Sequence, residues 1–592
     1  MGEGKHRLMR AITKIAAATG LICIYLMSPV ESSARDATKT PIHHLIVIIG
    51  ENRSFDNLFA TYRPKSGQRV ANLLSEGIID ANGAPGPSAN GAIQWQASNH
   101  DRYSIAPTRT SPFELLPQPN TTYAFGRKPD QPDTRFPADL PNRPFQITKF
   151  TAYQNSFTGD PVHRFFQMWQ QFDQGKNDLF PWVAITAGMG SEGKPPPAPF
   201  TSQSTHQGGL AMGFYNMSQS DAPVFKFIAD HFAISDNFHQ GIMGGTGASF
   251  IYLGTGDVAF YSDGNGNPVT PPAELIEDPD PWPGSNNWYK RDGYESGSYV
   301  NCADQSQPGV APILAYLRSR HLQSRCDPGH YYLVNNYGPA YDADGTPVDV
   351  KQHPYTLPPQ MLPNIAEALS AAGVSWKYYI GGLKRPGARD AWCSICNPLQ
   401  YSKRVMTGPL RANITDVSDF YRDIDNGKLP EVSFVRPYEP YSGHPANSAA
   451  SVYEYFVLSI ANYVIAKPEL FATTAIMVTF DEGGGYYDSG YIQTLDFFGD
   501  GTRIPLLVIS PYVIPGSVDH AYSDHASILK FIEANWGLRT LSPRSRDNLP
   551  NPVASRESPY IPSNGPALGD LMSIFDFAHK QYASPLIIPG AI

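Results

Sequence analysis

Two blocks of this sequence place carboxylates and an amide directly after apolar runs. Residues 42–49 end at Gly50 and are followed by Glu51-Asn52-Arg53-Ser54-Phe55-Asp56. Residues 475–480 are followed by Asp481-Glu482-Gly483-Gly484-Gly485. Carboxylates gathered at one point repel unless a cation neutralises them. Oxygen donors suit a hard divalent ion such as Ca²⁺, Mg²⁺ or Mn²⁺. Either block alone reads as helix caps and loop acids on a solvated edge. Together, Glu51, Asn52, Asp481 and Glu482 read as a metal site. A third block, Gly244-Gly245-Thr246-Gly247-Ala248-Ser249, adds a hydroxyl. Glycines let the backbone approach an anion closely, and a helix starting there aims N–H groups at a phosphate. Thr246 then becomes a nucleophile beside a cation. On its own this block is a capped Gly-rich turn, and without Gly-Lys-Ser/Thr it is not an ATPase P-loop.

A leaving alcohol needs a proton, and His163, His444 and His525 are the candidate donors. His43 and His44 sit on the first apolar run and read as structural. HExxH and GxSxG are both missing, so the zincin and α/β-hydrolase signatures are not met. Asp263-Gly264-Asn265-Gly266-Asn267 opens like a calcium loop, with Glu274 at its end. Pro268 stands where that loop requires Gly, so it reads as a turn, as does Tyr341-Asp342-Ala343-Asp344-Gly345.

Something must hold these groups together. Short apolar runs predict strands at 42–49, 374–380, 475–480 and 504–510. Helical periodicity predicts helices at 223–231, 362–372, 448–466 and 526–536, with Gly373 and Gly537 as C-terminal stops and Ser523 or Asp524 as an N-cap. Strands alternating with helices predict an α/β fold, a mostly parallel sheet with helices on both faces. Ligands bind beyond the carboxyl ends of such strands, where the acidic blocks fall. Residues 62–150, 189–210 and 255–360 are rich in Pro, Gly, Asn, Asp and Tyr and read as long irregular insertions. No solenoid-type repeat is present.

The 592 residues are 17% charged with a formal net charge of −9 and no long basic run, which argues against nucleic acid as a partner. Lys5, Arg7, Arg10 and Lys14 precede an apolar stretch over 15–30, and Ser32-Ser33-Ala34 offers a cleavage site after Ala34. Residues 1–34 thus read as a signal peptide for the general secretory route, since no twin-arginine pair is present. The expected destination is secreted or periplasmic, without stable membrane insertion. Cys302, Cys326, Cys393 and Cys396 remain after cleavage and allow three connectivities. Local pairing, Cys302–Cys326 and Cys393–Cys396, is expected. The Cys-x-x-Cys reads alternatively as a redox or zinc pair, but with no second such motif a structural bridge is preferred.

These blocks occur in an order that resembles the bacterial phospholipase C / acid phosphatase phosphoesterases of the alkaline-phosphatase-like superfamily. The matching runs are IVIIGENRSFDNLFA from Ile46, FQMWQQFDQGKND from Phe166, and MGFYNMSQSDAPVFKFIADHFAISDNFHQGIMGGTGAS from Met212. They continue with LPNIAEALSAAGVSWKYY from Leu362, SGHPANSA from Ser442 and TAIMVTFDEGGGYYD from Thr474. GTRIPLLVISPYV from Gly501 and SDHASILKFIEANWG from Ser523 complete them. The resemblance spans residues 42 to about 540.

It implies a divalent metal, Ca²⁺, Mg²⁺, Mn²⁺ or Zn²⁺, held by Glu51, Asn52, Thr246, Asp481 and Glu482 in one coordination sphere. It implies Thr246 as nucleophile with a phosphothreonine intermediate. His444, His163, His525 and Asp488 match the further catalytic positions. Gly245 stands where the phospholipases carry Pro, which bears on the geometry of the turn. The domain is expected over 42–540, followed by a Pro-rich tail over 541–592. That short tail resembles the acid phosphatase branch, because haemolytic phospholipases carry further C-terminal β domains. A small phosphate ester is the expected substrate, with a phospholipid headgroup ester as the alternative. A secreted binding protein on the same fold is the reading from another class. A choline headgroup calls for an aromatic cage, for which Trp282, Trp288, Tyr289 and Tyr294 are available. Packing of Pro-rich loops is their plainer use.

Overall fold

Leu45 to Ile49 are apolar and fully buried, a pattern that suits a strand covered on both faces. They form β1 (His44–Gly50), near the middle of an eight-stranded sheet. The other strands are β2 (Ala233–Ser235), β3 (Trp376–Ile380), β4 (Ile414–Asp416), β5 (Val432–Arg436), β6 (Thr474–Phe480), β7 (Leu506–Ile509) and β8 (Ser517–Asp519). Their order is β4-β3-β5-β1-β6-β7-β2-β8. All neighbours pair in parallel except β7, which runs against both β6 and β2. The architecture is therefore a mixed α/β fold around a mostly parallel sheet. The computed structural model describes residues 38–98, 102–119, 132–186, 208–281, 297–384, 392–582 and 586–590. The expected signal peptide over 1–34 and the cage residues Trp282, Trp288, Tyr289 and Tyr294 lie outside the described residues.

The helices that matter to the site are α1 (Phe165–Phe172), α2 (Pro223–His231), α3 (Thr246–Thr255), α4 (Ile365–Ala371), α5 (Val417–Asp425), α6 (Ala450–Ile465) and α7 (His525–Trp536). Helix α4 starts later than its periodicity predicts. The Asn364 side chain accepts from the Glu367 N–H and so sets the N-cap, and Gly373 follows at φ +70°. Asp524 caps α7 in a reciprocal box with Ser527, and Gly537 ends it in the left-handed conformation. The segment read as wholly irregular over 255–360 contains a ten-residue helix, Val310–Ser319. Both calcium-like segments are turns: Asp263 Oδ1 accepts from the N–H of Asn265 and Asn267, and the Asp342 N–H donates to the Thr346 carbonyl.

Both expected disulfides are present, Cys302–Cys326 and Cys393–Cys396. The Pro-rich tail packs back on the domain. Arg546 is buried and bonds Asp496, Asp500 and the Gly241 carbonyl, and Lys530 of α7 donates to the Leu549 and Leu568 carbonyls. Among the described residues no helix is long and apolar enough to cross a membrane.

Candidate active site

Gly50 pairs with Phe480 at the carboxyl end of the parallel β1–β6 ladder. The two acidic blocks therefore leave the sheet side by side. The chain turns at Asn52, whose φ of +61° lies in the left-handed region that Asn tolerates better than most residues. The Asn52 N–H donates to Asp481 Oδ1 at 3.1 Å, and the Arg53 N–H donates to the Glu482 carbonyl at 3.0 Å. Gly484, at φ +60°, has to be glycine, since a Cβ there would lie 2.6 Å from Asn52 Cβ.

Thr246 is the first residue of α3, with Gly245 as N-cap. The glycines before it are held by space: a Cβ on Gly244 would meet the Val334 carbonyl at 2.3 Å, and one on Gly245 the Asn336 Oδ1 at 2.6 Å. Gly245 sits at φ −81°, an angle proline also adopts, so it is the Asn336 side chain and not the backbone angle that keeps a larger residue out of this turn. The Thr246 hydroxyl donates to Glu482 Oε1 at 2.9 Å. His163 Nδ1 lies 2.7 Å from the Pro161 carbonyl, which leaves Nε2 facing the same Glu482 Oε1 at 3.6 Å. His444 Nε2 lies 3.5 Å from Asp160 Oδ2, and Asp160 Oδ1 accepts from Asn52 Nδ2 at 3.3 Å. The floor is sealed, with Thr246 at 5% and Glu482 at 0% exposure. The His444 and Asp160 side chains, at 18% and 21%, form the rim.

Three expected residues are placed otherwise. Glu51 reaches the right edge, but its carboxylate pairs with the buried Arg436 and faces Cys396 instead of joining Asp481. Among the described residues the one group of three His, Cys, Asp or Glu ligand atoms within 4.8 Å of one another is Glu51, Cys393 and Cys396. Buried carboxylates repel, and Arg436 supplies the positive charge that Glu51 takes. His525 is fully buried: Nε2 lies 2.9 Å from the Phe480 carbonyl, and Nδ1 accepts from the Gly241 N–H at 3.4 Å. Burial pulls its pKa down to about 4, so it is neutral and braces the end of β6. Asp488 belongs to a buried ion-pair cluster described below.

The residues present do fit a hard cation. Asn52 Oδ1 and Asp481 Oδ2 are buried oxygens without a hydrogen-bond partner. Burial first, and then the charge of Glu51, pushes Asp481 up to about 8. Buried oxygens without a hydrogen-bond partner, beside a hydroxyl at a helix start, are a donor set of the kind a hard cation takes.

The profile of the Phosphoesterase family matches residues 42–539. The chain belongs to the Phosphoesterase family. Among curated proteins it is similar to phospholipase C B of Mycobacterium tuberculosis, at 22% identity over 97% of this chain and 86% of that protein. It is also similar to the non-hemolytic phospholipase C of Burkholderia pseudomallei, at 28% over 45% of this chain and 42% of that one. An acid phosphatase of Aspergillus niger matches at 27% over 31% of this chain and 44% of that one. The phosphoesterase is thus a hydrolase of phosphoric esters.

Two residues that meet the candidate site's side chains carried no motif in the phosphoesterase's sequence. Arg436 ends β5, one strand over from β1, and it was visible as a charge closing the run Val432-Ser433-Phe434-Val435. Asp160 stands three residues before His163 and carried no motif.

Asp488 has a different partner. Arg503 Nε and Nη2 donate to its two oxygens at 2.8 and 3.2 Å, and Nη2 also reaches Asp56 Oδ2 at 3.2 Å. The Asp56 and Gly490 N–H groups add bonds of 3.1 Å each. All three side chains are 1% exposed. Removing one partner of a buried pair costs about 3–5 kcal/mol when the other is left alone, and here Arg503 keeps Asp56 while the Asp56 and Gly490 N–H groups lose their acceptor, so the low end of that range applies. Asp488→Ala is expected to lower unfolding stability by that order in urea titrations. The fraction that remains folded should keep a kcat within about tenfold of wild type, since a general acid–base contributes about 100-fold or more. A stable variant with little turnover would return Asp488 to the chemistry.

Proposed function

We propose that the chain is an exported, metal-dependent phosphatase with an alkaline-phosphatase-like arrangement, working through a phosphothreonine on Thr246. The observation that carries this reading is the Thr246 hydroxyl at the start of α3, hydrogen-bonded to Glu482 at 2.9 Å beside the orphaned oxygens of Asn52 and Asp481. Asn52, Asp481, Glu482 and Thr246 would hold the cation, with Glu51 as the ligand that must leave Arg436 to join them. When bound, a hard divalent ion neutralises these carboxylates and the developing charge on the phosphoryl oxygens.

The chain's own groups carry the rest. The Thr246 proton already points at Glu482 Oε1, and His163 Nε2 lies 3.6 Å from that oxygen, ready to receive it. Thr246 Oγ then attacks phosphorus at the N-terminus of α3, where the helix dipole favours the negative phosphoryl oxygens, while the Gly247 N–H is already donated to Asn336 Oδ1 at 2.7 Å. His444, oriented by Asp160 at the rim, protonates the leaving alcohol. Water hydrolyses the phosphothreonine and releases phosphate.

The buried floor, with Thr246 at 5% and Glu482 at 0% exposure, supports a substrate that presents a small phosphoryl end. A second reading, phospholipase C, is favoured by the relative from Mycobacterium tuberculosis that bears that name and aligns with 97% of this chain. The two separate by kcat/KM on p-nitrophenyl phosphate, p-nitrophenyl phosphorylcholine and phosphatidylcholine vesicles. The monoester is expected to be the best substrate. A clear preference for the phosphorylcholine ester moves the protein to the phospholipase reading.

A further inference from the structure

Cys393 and Cys396 form a disulfide against a carboxylate of the site. Cys396 Sγ lies 3.0 Å from Glu51 Oε1, and Arg436 Nη2 lies 3.3 Å from the same sulfur. The short helical turn Ser394–Cys396 packs on α3, the helix that begins with Thr246. As a staple this bridge does little. It joins residues 3 apart, whereas Cys302–Cys326 spans 24, and loop-closure entropy in the unfolded chain grows with that separation. A disulfide sulfur also carries no proton, so Cys396 gives Glu51 no hydrogen bond in the oxidised state. Something other than stapling accounts for two cysteines at this point.

Reduction changes what the cluster offers. Glu51, Cys393 and Cys396 already present ligand atoms within 4.8 Å of one another. Two thiolates at Cys-x-x-Cys spacing with one carboxylate are a donor set for zinc, softer than the all-oxygen set of Asn52, Asp481 and Glu482. We infer that reducing Cys393–Cys396 creates a three-ligand site for a soft divalent cation such as Zn²⁺, and that this site takes the Glu51 carboxylate away from the oxygen-ligand site. The second half rests on the reading of Glu51 as a ligand for the hard cation.

The chemistry balances with an external dithiol. Its thiolate attacks Cys393, which is half-buried whereas Cys396 is sealed. The S–S bond breaks, two electrons and two protons pass to the cysteines, and the dithiol departs as its own disulfide. Binding of Zn²⁺ then displaces both thiol protons to solvent. In the oxidised protein neither sulfur is a thiolate, and Glu51 stays with Arg436 until the hard cation claims it.

The test uses the full-length exported protein, reduced with dithiothreitol, freed of it by anaerobic gel filtration, and titrated with Co²⁺ and then Zn²⁺. Thiolate-to-cobalt charge-transfer absorption is expected in the reduced protein and not in the oxidised one. Cys393→Ser should lose it, and a Cys302→Ser/Cys326→Ser double variant, which keeps the Cys-x-x-Cys, should retain it. One equivalent of Zn²⁺ should lower p-nitrophenyl phosphate turnover of the reduced form by about tenfold or more, as loss of a metal-site partner does. Reoxidation should restore it. No charge-transfer band on reduction, or a band that survives in Cys393→Ser, overturns the site. A band with unchanged turnover overturns the competition for Glu51. If the protein has no phosphatase activity, the cobalt spectrum still reports on the site, so the two readings fail separately.

Discussion

Thr246→Ala is expected to abolish turnover of p-nitrophenyl phosphate, and Thr246→Ser to keep a measurable part of it. Thr246 Oγ combines a proton acceptor, Glu482 Oε1 at 2.9 Å, with a place at the first residue of a helix. Loss of a covalent nucleophile from an otherwise intact site lowers kcat by on the order of 10⁵–10⁶-fold. The fold should not suffer. Thr246 makes no capping bond, its N-cap is Gly245, and Ala is a good helix former. The measurement is kcat beside far-UV circular dichroism, with acid-quenched protein from radiolabelled substrate assayed for phosphothreonine. Serine restores the oxygen without the methyl, so partial activity there separates a nucleophile from a packing residue. Near wild-type kcat in Thr246→Ala would remove the covalent mechanism.

Legibility in the sequence tracked the length of the signal. Residues 42–49 and 475–480 were readable as buried strands because they are short, rich in β-branched residues and stopped by Gly50 and by Asp481-Glu482-Gly483. The acidic blocks were readable because they follow those strands directly. Strands β2, β4 and β8 have three residues each, too few for a period to show, and they appear only where the sheet recruits them. The antiparallel direction of β7 could not be read at all, since an apolar run has no polarity. Contacts were harder still. Arg436 meets Glu51 across 385 residues, and only the strand order β3-β5-β1 brings them together. His525 and Asp488 were found by position in a motif, but what a side chain does depends on its partners. The Phe480 carbonyl and Gly241 amide take the first, and Arg503 takes the second.

Asp481→Asn is expected to remove metal-dependent stabilisation and activity together, while making the metal-free protein less sensitive to pH. Asp481 Oδ1 already accepts from the Asn52 N–H, and Oδ2 is buried without a hydrogen-bond partner, so Oδ2 is the oxygen a cation would take. A cation that binds only the native state adds about 2.7 kcal/mol at 100 times its Kd. Adding Mg²⁺, Mn²⁺, Ca²⁺ or Zn²⁺ to chelator-treated wild type should therefore raise Tm by several degrees, and the variant should lack that rise.

The pH arm has a definite sign. Burial and then Glu51 raise the Asp481 pKa in the folded protein to about 8, above its ordinary value near about 4. A carboxyl shifted up contributes stability that is fully present below the unfolded pKa and is lost as pH rises through the folded one. Metal-free wild type should lose Tm between about pH 4 and pH 8 through this group, and Asp481→Asn, which cannot ionise, should lose less. Differential scanning fluorimetry with and without chelator across that range reads both effects. A variant whose Tm rises with metal as much as wild type would take Asp481 out of the ligand set and leave Glu482 and Asn52 as the oxygens to test next.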